Sequence, residues 1–180
     1  MTTMTQMITN ARIATVESEL STTRNTRVST FTGCGGNIPD GHGSFQDDIV
    51  VTDKFKVTDV TVTLENLAHT WVGDLIVRLR HLETDTVVEL FRRPGQPHFS
   101  SSGYCNDLNG DYSFNDRYAY PFDVAAATNS VIPTGNYTSL QSLSVFNGLL
   151  SAGTWRINIT DCSAGDSGSL GSWRLDLGWE

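Results

Sequence analysis

The chain has 180 residues, 38% apolar and 18% charged, with 20 acidic side chains against 12 basic ones and a formal net charge of −8. A single domain of this size buries roughly 70% of its unfolded-chain surface and needs no covalent staples. No run of about 18 apolar residues offers a membrane span, and so few bases among so many acids argue against a nucleic-acid partner. The 22 threonines and 16 glycines point to strands joined by turns, hence to an all-β fold.

Residues 1–36 read as a polar, threonine-rich leader with one extra strand near Arg27 to Thr32. The leader lacks the basic start and apolar stretch of a signal peptide; a secreted, extracellular or cell-surface location is therefore expected only as part of a larger precursor. Residues 37–180 are expected to form one β-sandwich. In VTDVTVTLENL, Val60, Val62 and Leu64 alternate with Thr61, Thr63 and Glu65, the pattern of a strand with one buried face. GDLIVRLRHL and TVVELF follow at hairpin spacing. GTWRINITD places Trp155, Ile157 and Ile159 on one face. GSLGSWRLDLGW does the same with Trp173, Leu175, Leu177 and Trp179. Two sheets packed face to face cover all these stripes, with Trp155 and Trp173 in the core. Residues 92–120 break the pattern and read as a long polar loop, while PFDVAAATNS suggests a helical turn.

Cys34, Cys105 and Cys162 allow at most one intrachain disulfide, and Asn136 and Asn158 head glycosylation sequons. His42, His69, His81 and His98 lack zinc-ligand spacing; His42, His81 and His98 read as turn or surface residues. AGDSGSL at 164–170 is similar to the segment around the nucleophile of trypsin-like proteases, and LAHTW at 67–71 to that around their histidine. A triad of Ser167, His69 and Asp74 is nevertheless not expected. Asp166 and Gly168 lie between two strand patterns, where a tight turn needs them, and Ser169 stands where the motif has glycine. His69 is expected to hold its loop by hydrogen bonds.

The stronger chemical signal is NDLNGDYSFND at 106–116, rich in carboxylates and amides. Calcium takes six to eight oxygen ligands, which a flexible loop of this composition supplies. Asp107, Asn109, Asp111 and Asp116 are the candidate ligands, joined by Asp40 and Asp74 if their loops share one end of the sandwich. Asp107-x-Asn109-x-Asp111 resembles the start of an EF-hand loop, but Gly110 is misplaced and Tyr118 replaces the bidentate glutamate. An EF-hand is therefore excluded.

From about Asn37 to Trp179 the chain resembles the P domain, or P/Homo B domain, of proprotein convertases and bacterial subtilisin-like proteases. The resemblance rests on IPDGHG (38–43), DVTVTLENLAHTWVGDLIVRL (59–79), FND (114–116), LSVFNGLLSAGTWRINITD (143–161) and GDSGSLGSWRLDL (165–177). It implies a jelly-roll-like β-sandwich of about eight strands, non-catalytic, beside a subtilisin-like catalytic domain whose folding, stability and calcium dependence it supports. It also implies that both protease-like segments are scaffold. Asp74 matches the aspartate of the family's Gly-Asp-Leu, and Asp116 an acid of its Phe-Asp-Asp segment. Asn115 stands where a carboxylate is usual, and RHLETDT (80–86) lacks the family's Ser-Pro-x-Gly-Thr turn. The expected function is thus a calcium-binding accessory domain for a subtilisin-like protease or another domain of the same precursor. The alternative is an independent carbohydrate- or protein-binding adhesion module, with Tyr104, Tyr112, Tyr118 and Tyr120 lining a groove or supporting loop packing.

Overall fold

A computed structural model describes residues 26–180. The strands are β1 (Arg27–Ile38), β2 (Ser44–Val51), β3 (Asp59–His69), β4 (Leu75–His81), β5 (Thr86–Arg92), β6 (Asp107–Phe114), β7 (Val131–Ile132), β8 (Gly135–Tyr137), β9 (Gly153–Asp161) and β10 (Gly168–Trp179). A helix, α1 (Phe122–Thr128), and two 3-10 turns, Val72–Asp74 and Leu143–Phe146, complete the described elements.

Two sheets result. One runs β1-β10-β3-β6-β7, with β8 also paired to β6, and the other β2-β9-β4-β5. The first strand pairs with the last, the second with the last but one, β3 with β6 and β4 with β5. These nested antiparallel pairs, split between two sheets, are the jelly-roll arrangement expected of the chain. The all-β sandwich is therefore the fold.

The alternating stripes do what their period requires. Val60, Val62 and Leu64 of β3, Leu75, Val77 and Leu79 of β4, and Ile157 and Ile159 of β9 are buried between the sheets. Trp155 and Trp173 are fully buried. The Trp155 ring lies 5.1 Å from Phe146 and 4.8 Å from His81 by centroid, and its Nε1–H donates to the Ser151 carbonyl at 2.9 Å. Trp173 Nε1–H donates to Asp47 Oδ2 at 2.7 Å, tying the two sheets together. His81 is buried rather than at the surface, its Nδ1 2.9 Å from Thr84 Oγ1. α1 buries Phe122, Ala125 and Ala126, and Phe122 stacks on Phe91 with centroids 4.4 Å apart.

Three expectations change. The strand near Arg27 to Thr32 continues to Ile38 and pairs with β10 from Arg27↔Trp179 to Ile38↔Gly168. A boundary at residue 37 therefore falls inside β1, and the sandwich includes the described residues before it; the rest of the proposed leader lies outside the described residues. The described strands number ten, two of them of only two and three residues, where about eight were expected. Most consequentially, residues 92–120 are not one loop, because β6 occupies 107–114 and pairs with β3 in the body of the sheet. Leu108, Tyr112 and Phe114 face the core, while Asp107, Asn109, Asp111 and Ser113 point outward. Gly110 completes the inward row where a Cβ would collide with Thr134 Oγ1. All three cysteines are free thiols.

Candidate functional site

The six residues expected to hold calcium fall in separate places. Asp116 caps the Leu143–Phe146 turn: its carboxylate accepts from Leu143 N–H at 2.9 Å, Ser144 N–H at 2.8 Å and Ser142 Oγ at 2.6 Å. Capping of this kind stabilises a helical turn by about 0.5–2 kcal/mol. Asp107, Asn109 and Asp111 share the outer face of β6, and Asp111 Oδ1 accepts from Asn66 N–H at 2.7 Å. With a rise of about 3.4 Å per residue, Asp107 and Asp111 are roughly 13 Å apart along the strand, and Asp116 is farther still. Ligand oxygens around one calcium lie about 2.3–2.6 Å from it, so these residues do not fit a single ion. Asp40 and Asp74 do share one end of the sandwich, both against the loop after β9: Asp40 Oδ1 accepts from Gly165 N–H at 3.0 Å, and the Asp74 carbonyl accepts from Cys162 N–H at 2.9 Å. No group of three or more His, Cys, Asp or Glu side chains among the described residues is arranged to hold a metal.

That end instead contains a buried polar cluster built from three sequence segments. β3 ends in His69, the 3-10 turn that follows delivers Asp74, and β9 ends in Asp161. His69, Asp74 and Asp161 are all buried. His69 Nδ1 accepts from Trp71 N–H at 3.1 Å and lies 3.0 Å from the Trp71 carbonyl. The Trp71 N–H assigns the ring proton to Nε2, which donates to Asp161 Oδ2 at 3.3 Å. Asp161 Oδ1 also accepts from Ser163 N–H at 3.0 Å. Arg93 closes the cluster, donating Nε–H to the Gly73 carbonyl at 2.9 Å and lying 3.6 Å from Asp74 Oδ1. His69 and Arg93 thus bind the ends of β3, β5 and β9 together, and both ring nitrogens of the histidine are committed to that task.

The Gly-Asp-Ser-Gly segment has equally local reasons. Gly165 turns the chain with φ +118°, a conformation that favours glycine. Asp166 accepts from Thr70 Oγ1 at 2.7 Å. Gly168 pairs with His69, and any Cβ there would strike the imidazole and the Ala68 carbonyl. The serine between them, Ser167, is exposed. Glycine and aspartate therefore appear here because a ring must pack and a turn must close.

Burial pushes the Asp74 carboxyl above the usual aspartate range; a Ser163 hydrogen bond opposes this, Asp161 and Asp166 add repulsion, and Arg93 offsets part of it. The folded state then binds a proton more tightly at Asp74 than the unfolded chain does. This contribution to stability is full below the unfolded pKa and is lost as pH rises through the folded one. Asp74→Asn, which cannot ionise, is therefore expected to gain stability relative to the parent as pH rises from about 4 toward neutrality. Urea unfolding at both ends of that range measures it, and a pH-independent difference would refute the assignment.

No protein-family profile matches the chain, and no curated protein matches it. Among solved structures it is similar to a chain of the complex between the Aeromonas sobria serine protease and its chaperone, at 17% identity, 86% of this chain covered and TM-score 0.49. The Aeromonas sobria serine protease crystallised as such gives 16%, 86% and 0.46. A structure of the infectious bursal disease virus Gx strain gives 14% identity over 84% of this chain and 32% of that one, at 0.25. This chain spans 27% of the length of each Aeromonas chain. At TM-scores below 0.5 these likenesses carry no conclusion about function.

The His69–Asp161 pair, with Arg93 and Asp74, is the grouping that sequence reasoning missed. LAHTW and the ITD at the end of β9 are 92 positions apart, and only the pairing of β9 with β4 brings Asp161 opposite Leu75, beside the end of β3. Of the four candidate tyrosines, Tyr112 is buried and Tyr104 packs on Phe99 at 4.8 Å. Tyr120 lies 6.1 Å from Tyr137, and Tyr118 borders a cavity on the outer sheet face.

Proposed function

We propose that this β-sandwich is a non-catalytic accessory domain that packs against a larger subtilisin-like serine protease, or another domain of the same precursor, and stabilises it. The observation that carries the non-catalytic part is the position of His69, whose side chain is wholly buried with Asp161 and whose ring nitrogens are both engaged. A general base must reach the proton it removes, and this imidazole faces the scaffold. The partner rests on the ordered P-domain-like segments of the sequence. On the loop after β5, Phe99 is 65% exposed and packs beside Tyr104, and we take it as one residue of the contact.

Two measurements test the reading. A fluorophosphonate should leave Ser167 unlabelled; stoichiometric labelling would make the domain an enzyme. A subtilisin-like catalytic domain followed by this chain should yield more soluble, active protease than the same domain alone, and equal yields would remove the accessory role. Calcium dependence, the finer part of the proposal, cannot draw on all six of Asp40, Asp74, Asp107, Asn109, Asp111 and Asp116 around one ion. Melting in calcium against EDTA tests it separately, and an unchanged Tm would leave an accessory domain that works without the ion.

A further inference from the structure

A separate feature lies on the outer face of the larger sheet. β3 and β6 pair regularly at Val62↔Phe114, Thr63↔Ser113 and Leu64↔Tyr112, then resume at Leu67↔Gly110. Two residues of β3, Glu65 and Asn66, therefore stand opposite one of β6, Asp111. This is a β-bulge inside a sheet, with Asn66 in the left-handed region at φ +51°. Leu64 and Leu67 both stay buried, so the extra residue places Glu65 and Asn66 together on the outer side. Asp111 holds the bulge by accepting Asn66 N–H at 2.7 Å. Gly171 of β10 makes room for it, since a Cβ there would lie 2.9 Å from Asn66 Cβ.

The bulge forms the floor of a cavity of about 300 Å³, bordered by Tyr118 and by the 134–136 segment. That volume is at the small end of ligand pockets. The polar groups on the floor are held in place by one another. Glu65 Oε2 accepts from Ser172 Oγ at 2.6 Å and Glu65 Oε1 from Arg174 at 3.2 Å; Arg174 also donates to Asp176 at 3.1 Å, and Thr63 Oγ1 lies 2.9 Å from Ser113 Oγ. Such mutual support preorganises a site.

We infer that this cavity is a carbohydrate-binding site that takes a single neutral sugar ring. Its chemistry selects that class. Carboxylates of Glu65 and Asp111 accept from hydroxyls, the Arg174 guanidinium and the Asn136 amide donate to them, and Tyr118 offers an aromatic wall to the C–H face of the ring. An anion is disfavoured, because Arg174 is already matched by Glu65 and Asp176 and Asp111 adds further negative charge. A neutral polyol both donates and accepts at each hydroxyl and suits alternating partners.

The test is a titration of the ¹⁵N-labelled protein with free glucose, galactose, mannose and N-acetylglucosamine at millimolar concentrations. At least one sugar should give saturable shifts confined to residues 63–66, 111–113, 118, 134–136 and 174. Tyr118→Ala and Glu65→Gln should each weaken binding about tenfold, whereas Tyr118→Phe should retain it. Urea unfolding of each variant separates lost binding from lost fold. If a variant unfolds, the position of the wild-type shifts decides. No shifts with any of the four sugars, shifts elsewhere on the surface, or undiminished binding by a folded Tyr118→Ala would overturn the inference. None of these results bears on protease association, which is read from the yield of active enzyme.

Discussion

Trp155→Ala is expected to destabilise the domain by about 3–5 kcal/mol and lower its Tm by about 6–20 °C. The side chain is fully buried on β9, which lies between β2 and β4 in the smaller sheet. Strands on both sides fix the backbone, so the space left by the indole cannot close by local collapse. Phe146 and His81 lose their ring partner, and the buried Ser151 carbonyl loses its donor. Total stabilities are only about 5–15 kcal/mol, so this one substitution removes a large share. Trp155→Phe should recover much of the loss, because it restores most of the volume but not the hydrogen bond. Differential scanning calorimetry measures both, and a Tm within about 2 °C of the parent for the alanine variant would contradict the packing described.

The second large effect is expected at Asp161. Its side chain is wholly buried, receives Nε2–H of the equally buried His69 and Ser163 N–H, and sits at the junction of β4 and β9. Removing Asp161 leaves the buried imidazole N–H and the Ser163 N–H without their acceptor, a loss of about 1–3 kcal/mol for each buried group so stranded. Asp161→Asn preserves shape and one acceptor and should lose less than Asp161→Ala. The pair is best separated from its surroundings by a double-mutant cycle with His69→Phe. Replacing both groups by apolar ones removes the stranded imidazole, so the double variant should be more stable than the sum of the single losses implies. Guanidinium unfolding gives the coupling directly. Simple additivity would mean that the two side chains do not act as a unit.

These effects also show where the sequence was readable. β3, β4, β9 and β10 were legible because Val, Ile, Leu and Trp recur at every second position against polar neighbours, and one buried face imposes that pattern. β6 was not, because its Asn, Gly and Asp are poor strand formers and Gly110 interrupts the inward row at the point where Thr134 crosses. The same fact explains why these residues read as parts of one metal site. Asp107-x-Asn109-x-Asp111 is both the opening of an oxygen-rich loop and the solvent face of a strand, and only pairing with β3 distinguishes them. The protease-like segments lie between strand patterns on either side, which is why they read as turns. The ring that makes Gly168 necessary lies 99 positions away and becomes visible only in the register of β3 against β10. Nothing in Glu65-Asn66 announces a bulge, since Asn66 would be equally at home in an ordinary turn.

The pairing of β1 with β10 has a kinetic consequence. β10 lies between β1 and β3, so the larger sheet is divided until the twelve residues of β10 are present. During synthesis from the N-terminus, β1 and β3 therefore emerge well before the strand that joins them, and each leaves a hydrogen-bonding edge exposed to other chains. Closing contacts such as Arg27↔Trp179 spans nearly the whole described chain. Long-range closure of this kind slows folding, and the ribosome must release almost all of the domain before it can begin.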